Sequence, residues 1–174
     1  MAESIESFIK KISRFENRLK KIQDRRLSAR NMKEFGERAV DQIKSRSRRG
    51  FGLTPDGSRQ TRFKNLAKST KDYRKRYSKN LDSNTSPNKS NITATGQMLD
   101  ALKVSSRNSE FSIGFRSGRR KRELSGGPGR ISNEEVAFWV EENGRKFLGL
   151  TRQEKNTLIK KVINEIDKDI EKEF

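Results

Sequence analysis

Apolar residues recur every three or four positions in three stretches of the chain, and this spacing predicts three amphipathic helices. The first covers residues 4–24 and has one narrow seam, which predicts a helix-on-helix contact either within the chain or between subunits. The second covers residues 28–47, and the third covers about residues 152–172. The apolar positions are Ile5, Phe8, Ile12, Phe15, Leu19 and Ile22 in the first helix, Met32, Phe35, Ala39, Val40 and Ile43 in the second, and Leu158, Ile159, Val162, Ile163, Ile166 and Ile170 in the third.

A strict alternation of apolar and polar residues replaces this spacing after Val104. Residues 111–116 alternate between the two types, and Asn108-Ser109 is a turn signal before them, which together predict a half-buried hairpin. Gly114 on its outer face predicts a bulge or the close approach of another backbone. The predicted fold class is α+β, a small antiparallel sheet flanked by helices, with long N-terminal helices and a C-terminal helix.

Residues 134–154 contain the only Trp and the densest apolar run of the chain. Asn133 is predicted to cap a helix here, and Gly144 is predicted to end it. A short extended segment follows, and Thr151 with Glu154 forms a capping-box signal that opens the last helix. This sequence of elements predicts a unit that docks against a subunit or a domain, and its predicted docking residues are Phe138, Trp139, Phe147, Leu148 and Leu150.

A change of composition after residue 49 predicts how the chain is divided. Residues 1–49 are predicted to form a basic N-terminal helical region, and residues 50–174 an α+β domain. The Pro-Asp-Gly sequence at residues 55–57 predicts a turn near the start of that domain. Polar or glycine-rich composition predicts flexible loops at residues 80–93 and 116–130.

Positive charge is concentrated in the N-terminal part of the chain. Residues 1–80 contain 24 Lys and Arg against 9 Asp and Glu, whereas residues 81–174 contain 17 against 14, so +15 of the net +18 lies in the first part. This asymmetry indicates a phosphate-rich or acidic partner, although a solvated helix face gives the same pattern and the backbone dipole favours cations at a helix C-terminus. The predicted contacts with a DNA channel or an acidic partner are Arg46, Arg48, Arg49, Arg119, Arg120, Lys121 and Arg122.

Two other charged stretches allow two interpretations each. Tyr73 and Tyr77 lie four positions apart in a predicted basic helix at residues 69–79, where they either stack on bases or pack as a stripe. The last helix is acidic over residues 165–173. Its carboxylates either pair with the basic half of another copy of the chain or are simply solvated.

The hydrophobic content is low for a protein that folds alone. Only 29% of residues are hydrophobic, and Leu, Ile, Val and Phe make up about 22%, close to the roughly 20% below which a highly charged chain is usually disordered. We therefore expect neighbouring subunits to contribute to stability. The absence of Cys fits a reducing compartment, and no apolar run is long enough to predict a membrane span.

The residue types that most enzymes use are missing. Without His or Cys, the common metal sites and the Ser-His-Asp and Cys-His nucleophilic systems are excluded. No glycine-rich phosphate-binding motif occurs. The Asp and Glu content leaves a carboxylate-only metal nuclease as an alternative, but neighbouring carboxylates such as Glu134 and Glu135 diverge on a helix instead of converging on one ion. The sequence therefore predicts a protein that is not an enzyme and has no cofactor and no metal.

Several segments in a fixed order resemble the virion-morphogenesis or tail-completion proteins of long-tailed bacteriophages, of the phage Mu tail-completion type. The resemblance covers about residues 50–170. It rests on the Thr-Pro-Asp-Gly loop at residues 54–57, Thr-Gly-Gln-Met-Leu at 95–99, the alternating hairpin that ends near Gly114, Val-Ala-Phe-Trp at 136–139 with Glu-Asn-Gly at 142–144, and Arg-Lys-Phe-Leu-Gly-Leu at 145–150. Residues 119–129 are more basic than this family's pattern.

The resemblance implies a tail-completion or terminator ring protein, which caps the tail and joins it to the head connector around the DNA channel. Its implied partners are copies of itself in a ring, a hexamer in preference to a dodecamer, the tail tube protein, the head connector or stopper protein, and double-stranded DNA in the lumen. It implies a location in the virion, at the head-tail junction, and in the host cytoplasm during assembly. Charge alone leaves an alternative, a standalone basic protein that binds nucleic acid without reading its sequence.

Overall fold

The structure of the protein is a computed structural model that describes residues 5–116, 123–127 and 129–173, with side chains described from residue 13 to residue 172 of these ranges. The predicted α+β fold is confirmed. Over the described residues the helices are α1 (Ile5–Arg26), α2 (Ala29–Arg48), α3 (Lys68–Arg76), α4 (Gln97–Asp100), α5 (Asn133–Glu142) and α6 (Arg152–Glu173), with a 3₁₀ turn at Ser78–Asn80.

The described strands form two separate antiparallel hairpins. One pairs β3 (Leu102–Arg107) with β4 (Glu110–Phe115), in a register that places Val104 opposite Ile113. This is the hairpin that alternation predicted. The other pairs β1 (Phe51–Leu53) with β2 (Gln60–Arg62), and the sequence predicted only the turn that joins these two strands.

That turn is held by the side chain of Asp56. Its carboxylate accepts hydrogen bonds from the hydroxyls of Thr54 (2.5 Å) and Ser58 (2.6 Å), and the amide of Gly57 donates to the carbonyl of Thr54. These bonds stabilise the charged carboxylate, so the pKa of Asp56 is lowered to about 2, with the Ser58 hydroxyl as the main cause. The Pro-Asp-Gly prediction of a turn is therefore confirmed.

The prediction about Gly114 is wrong for the part of the chain that the structure describes. Gly114 pairs with Lys103 in a regular ladder without a bulge. A Cβ atom built on Gly114 would have no atom within 4 Å, so no other backbone approaches it closely. An outward-facing glycine in a hairpin does not by itself require a neighbour.

One core joins the two segments that the sequence separated at residue 49. Val40 and Ile43 of α2 pack in the same buried cluster as Leu99 and Phe147, which lie far along the chain. The second helix buries every apolar residue that was predicted to face inward. Residues on both sides of the predicted boundary thus depend on each other for burial.

Among the described side chains of the first helix, burial is found toward its C-terminal end. Ile22 is buried, Leu19 is half-buried and Phe15 is exposed, while the side chains of Ile5, Phe8 and Ile12 lie outside the described residues. Arg26 donates from Nε to Asp169 (2.8 Å) and from Nη1 to Glu165 (3.0 Å) on α6. These two carboxylates of the acidic C-terminal stretch therefore pair within the chain. The sequence had suggested either pairing with another copy of the chain or simple solvation.

Candidate functional site

Arg46 lies at a buried junction of α2, the segment at residues 145–150, and α6. Its side chain is 0% exposed, and Nη1 donates to Glu154 at 2.5 Å. Nη2 donates to the carbonyls of Phe147 (2.7 Å) and Gly149 (2.9 Å). The prediction that Arg46 contacts DNA or an acidic partner is wrong in this structure, because a guanidinium enclosed in this way cannot reach a molecule outside.

Glu154, the ion-pair partner of Arg46, also takes part in the cap at the start of α6. Glu154 accepts from the amide of Thr151 (2.7 Å), and the hydroxyl of Thr151 accepts from the amide of Glu154 (3.1 Å), so the predicted capping box is confirmed. Burial lowers the pKa of Arg46, and the nearby Glu154 carboxylate opposes that shift. The same carboxylate therefore caps a helix and neutralises a buried cation.

The cap of α5 lies one residue earlier than predicted. Ser132, not Asn133, is the N-cap, because its hydroxyl accepts from the amide of Glu135 while the Glu135 carboxylate accepts from the amide of Ser132. Gly144 follows the last residues of the helix at φ +73°, a backbone region that glycine adopts without steric cost. The predicted end of the helix is confirmed.

The predicted docking residues separate into a buried group and an exposed group. Phe147 is 0% exposed and belongs to the core, and its amide and that of Leu148 both donate to Glu141 at 2.8 Å. Leu148 and Leu150 are half-buried against that core. On α5, by contrast, Phe138 is 61% exposed and Trp139 is 51% exposed. Only these two aromatic residues of the set lie largely on the surface.

The remaining predicted contact residues are placed as follows. Arg48 forms an ion pair with Asp100, from Nη2 to Oδ1 at 2.8 Å, and Arg49 is exposed. Arg119, Arg120, Lys121 and Arg122 lie outside the described residues. The structure thus leaves Arg49 exposed, Arg48 partly neutralised and Arg46 enclosed.

Helix α3 has several exposed basic residues. Lys68, Lys75 and Arg76 are exposed, while Tyr73 contacts Tyr77 edge-on with 4.9 Å between the ring centroids. The tyrosines therefore pack on each other, as one of the two interpretations predicted. Tyr73 nevertheless keeps much of its surface exposed beside the cations.

A groove of about 570 Å³ lies beside this helix, and α4, α5 and residues 64–70 and 91–96 form its walls. Its described lining contains no Asp or Glu. Three cations line it instead, Lys64, Arg74 and Arg145, and the remaining lining residues are uncharged. The apolar lining residues are Leu66, Ala67, Ile92, Ala94, Met98, Leu99, Val136, Trp139 and Val140.

Arg74 is one of the two arginines of this groove and is only 5% exposed. It donates to the carbonyls of Lys89 (3.0 Å) and Asn91 (3.2 Å), and so it fixes the C-terminal end of the predicted loop at residues 80–93. Asn91 and Thr93 in that stretch are buried. The loop has no helix or strand after Asn80, as predicted, but this end of it is packed. Whether the rest is flexible stays a prediction.

The second arginine, Arg145, is half-buried. It donates to the carbonyl of Lys64 at 3.0 Å, and its guanidinium lies 6.0 Å from the centre of the Phe63 ring. Burial lowers the pKa of both arginines, and the positive charge of Arg145 lowers that of Arg74 further. Sequence reasoning missed this groove because its walls come from segments separated by up to about eighty residues, and no local pattern joins them.

Compared with protein-family models, curated proteins and solved structures, this chain matches none of them. Among the described residues, no helix combines the length and the apolar character that crossing a membrane requires. The described residues also contain no group of three or more acidic side chains placed to hold a metal ion. The function is therefore argued from the residues and surfaces themselves.

Proposed function

We propose that this protein is a non-enzymatic structural subunit of a phage head-tail junction, a tail-completion or terminator protein that assembles into a ring. The exposed aromatic pair on α5 carries this proposal. Phe138 and Trp139 expose 61% and 51% of their surface, and large aromatic residues of this kind are enriched at the centres of protein interfaces. A protein partner, such as a neighbouring copy, would cover them.

A second exposed apolar position on α6 supports assembly as well. Ile159 and Ile163 expose 55% and 50% of their surface. Contacts between subunits would remove these side chains from water and stabilise the fold.

The segments that carry the family resemblance have defined structural positions. Residues 54–57 form the turn between β1 and β2, and residues 95–99 lead into α4 and then the β3–β4 hairpin. Residues 145–150 run between α5 and α6, where Phe147 is completely buried. This order of elements supports the proposal because these three motifs lie where one element ends and the next begins.

The ring that we propose is a hexamer in preference to a dodecamer. It caps the tail, joins it to the head connector or stopper protein, and contacts the tail tube protein on the other side. Double-stranded DNA passes through its lumen, where the net charge of +18 would be neutralised by phosphates. The proposed location is the head-tail junction of the virion, and the host cytoplasm during assembly.

Electron microscopy combined with sedimentation equilibrium tests this proposal. We expect rings of fixed copy number whose mass is an integral multiple of 20.1 kDa. The substitution Phe138→Ser should shift the protein toward monomers, whereas Lys155→Ser, on an exposed site of α6, serves as the control and should not. A folded monomer at all concentrations, alone and with DNA, would contradict the ring.

The second candidate function is that of a standalone protein that binds nucleic acid without sequence specificity. The observation that favours it is the exposed basic surface of α3, where Lys68, Lys75 and Arg76 are exposed on the same helix as the partly exposed ring of Tyr73. This function predicts a monomer whose affinity for DNA falls steeply with salt. Binding measured at several salt concentrations, beside the mass measurement, separates the two candidates.

A further inference from the structure

The groove beside α3 contains two arginines that no carboxylate neutralises. Among the described residues, neither Arg74 nor Arg145 forms an ion pair, and all their described hydrogen bonds go to carbonyls, a hydroxyl or an amide. Arg46 is the useful comparison, because it is also buried, at 0% exposed against 5% for Arg74, but has Glu154 as its partner. Buried cations are normally paired, so the unpaired Arg74, with the half-buried Arg145 in the same groove, favours a site for an anionic group.

The shape of the groove supports a bound ligand. Its volume of about 570 Å³ is within the roughly 300–1,000 Å³ of sites that enclose small ligands. Arg74 is held by the backbone of residues 89 and 91, and Arg145 by the backbone of residue 64, so both guanidinium groups are positioned before anything binds. A positioned guanidinium can bind a carboxylate through two parallel hydrogen bonds.

The apolar walls decide which anionic partner fits. Met98, Leu99, Val136 and Val140 lie on the same groove as the two arginines, and Trp139 forms its exposed rim. A DNA backbone offers only the carbons of its sugars to these walls, and a rigid duplex cannot bring its phosphate to Arg74, which is only 5% exposed. A side-chain carboxylate flanked by apolar residues satisfies the arginines and the walls together.

The charge of the whole chain indicates that this partner is a different protein. Two copies, each with a net charge of +18, repel each other outside any apolar contact, whereas an acidic partner is attracted over a long range. We propose that the groove binds a short segment of an acidic partner protein in which an Asp or Glu lies next to apolar residues. This site shares Trp139 with the proposed ring contact, but Arg74 and Arg145, which carry the inference, are not part of that contact, so the inference stands whether or not the chain forms a ring.

Trp139 provides a direct measurement, because it is the only Trp of the chain and lines the groove. The full chain is titrated with blocked pentapeptides that have Asp, Glu, Asn or Gln at the centre and Leu, Ile or Phe on both sides. We expect saturable changes of Trp139 fluorescence with the acidic peptides, and affinities lower by about tenfold or more for their Asn and Gln counterparts. Equal affinity of the Asp and Asn peptides, or no saturable change with any of them, would overturn the proposal.

The substitution Arg145→Gln tests the cation without releasing the loop that Arg74 holds. This substitution should lower the affinity for the acidic peptides by about tenfold, and Arg145→Lys should lower it less because the charge remains. Lys146→Gln is the matched control, since Lys146 is exposed, precedes Phe147 and does not line the groove. Circular dichroism checks that each variant is folded. Unchanged affinity in folded Arg145→Gln protein would also overturn the proposal.

Two other occupants give distinct results in the same assay. If a second copy fills the groove, Trp139 fluorescence changes with protein concentration alone, and that change is lost in Arg145→Gln. If phosphate is the ligand, inorganic phosphate or a duplex oligonucleotide competes with the acidic peptide at low concentration. Either result would overturn an acidic protein segment as the occupant.

Discussion

Arg46 and Arg74 are both arginines in the interior of the protein, but different groups surround them. Arg46 has a carboxylate at 2.5 Å as well as two carbonyls, whereas the described partners of Arg74 are all uncharged. Burial lowers the pKa of each, yet an arginine stays protonated in proteins. Both arginines therefore hold the fold together, but only the charge of Arg46 is neutralised by a described carboxylate.

Replacing Arg46 by Gln should strongly destabilise the fold. The substitution leaves Glu154 and the carbonyls of Phe147 and Gly149 without their donor, and breaking a buried pair from one side costs about 3–5 kcal/mol. Urea denaturation measures the free energy of unfolding. The control is Arg49→Gln on the exposed neighbour, which should change it by no more than about 0.5 kcal/mol. Equal effects of the two substitutions would contradict the role assigned to Arg46.

Phe147 and Phe138 offer the same side chain in opposite surroundings. Phe147→Ala should lower the free energy of unfolding by about 3–5 kcal/mol, because the ring is completely buried. Phe138→Ala should change it by less than about 0.5 kcal/mol in the isolated chain, since most of that ring faces solvent. Thermal or urea unfolding compares them. A folded, ring-forming Phe147→Asp variant would show that the core assignment is wrong.

Sequence reasoning at the scale of residues succeeded where a pattern is local. The capping box at Thr151 and Glu154 and the glycine after α5 were found because each signal lies within four residues of the element that it bounds. The burial of Arg46 was not found. Its acceptors lie more than one hundred positions along the chain, and four basic residues within positions 44–49 indicated a surface patch.

At the scale of elements, the contact between α2 and the β3–β4 hairpin depends on Gly36. A Cβ atom at this position would lie 2.4 Å from a methyl group of Val104 and 3.0 Å from the ring of Phe111. Val104 is branched at Cβ, and its side chain cannot easily turn away. The glycine therefore sets how closely the helix approaches the hairpin.

The substitution Gly36→Ala should destabilise the protein although it raises helix propensity. Overpacking of this kind costs about 1–3 kcal/mol. Alanine is favoured over glycine in a helix by at most about 1 kcal/mol, so the net effect should be a loss of stability. Gly114→Ala is the control in the same hairpin, where a Cβ atom meets nothing within 4 Å, and it should be neutral or slightly stabilising. Thermal unfolding distinguishes them, and a more stable Gly36→Ala variant would contradict the close approach.

The two hairpins show why one element was predicted and the other was not. Each strand of the β3–β4 hairpin has six residues, long enough for alternation to be visible. The strands β1 and β2 have three residues each, and β2 is exposed along its length, so no alternation exists. The amide of Leu53 donates to the carbonyl of Lys146, and this contact with a distant segment supports β1 instead.

At the scale of the whole molecule, the ion pairs between α1 and α6 should make stability depend on pH. The hydrogen bond from Arg26 is the main cause that lowers the pKa of Asp169 below its ordinary value of 3.8. The pKa of Asp169 is lower in the folded chain than in the unfolded chain. The contribution of this ion pair to stability is therefore complete above the unfolded pKa and is lost as the pH falls through the folded pKa.

The substitution Asp169→Asn should therefore flatten the loss of stability as the pH falls from about 5 to about 2. Denaturant unfolding at each pH measures this dependence. Asp167→Asn is the control, because Asp167 is exposed on the same helix and forms no ion pair among the described residues. An identical pH dependence in both variants would show that the contact with Arg26 does not contribute.

The separation in sequence between the partners of these ion pairs affects when the pairs can form during synthesis. Arg26 meets Asp169 across 143 positions, and Arg46 meets Glu154 across 108. A nascent chain that has left the ribosome only as far as residue 140 therefore contains a basic N-terminal half whose carboxylate partners do not yet exist. The ion pairs that join α1 and α2 to α6 through Asp169 and Glu154 therefore form only after synthesis has passed residues 169 and 154, respectively.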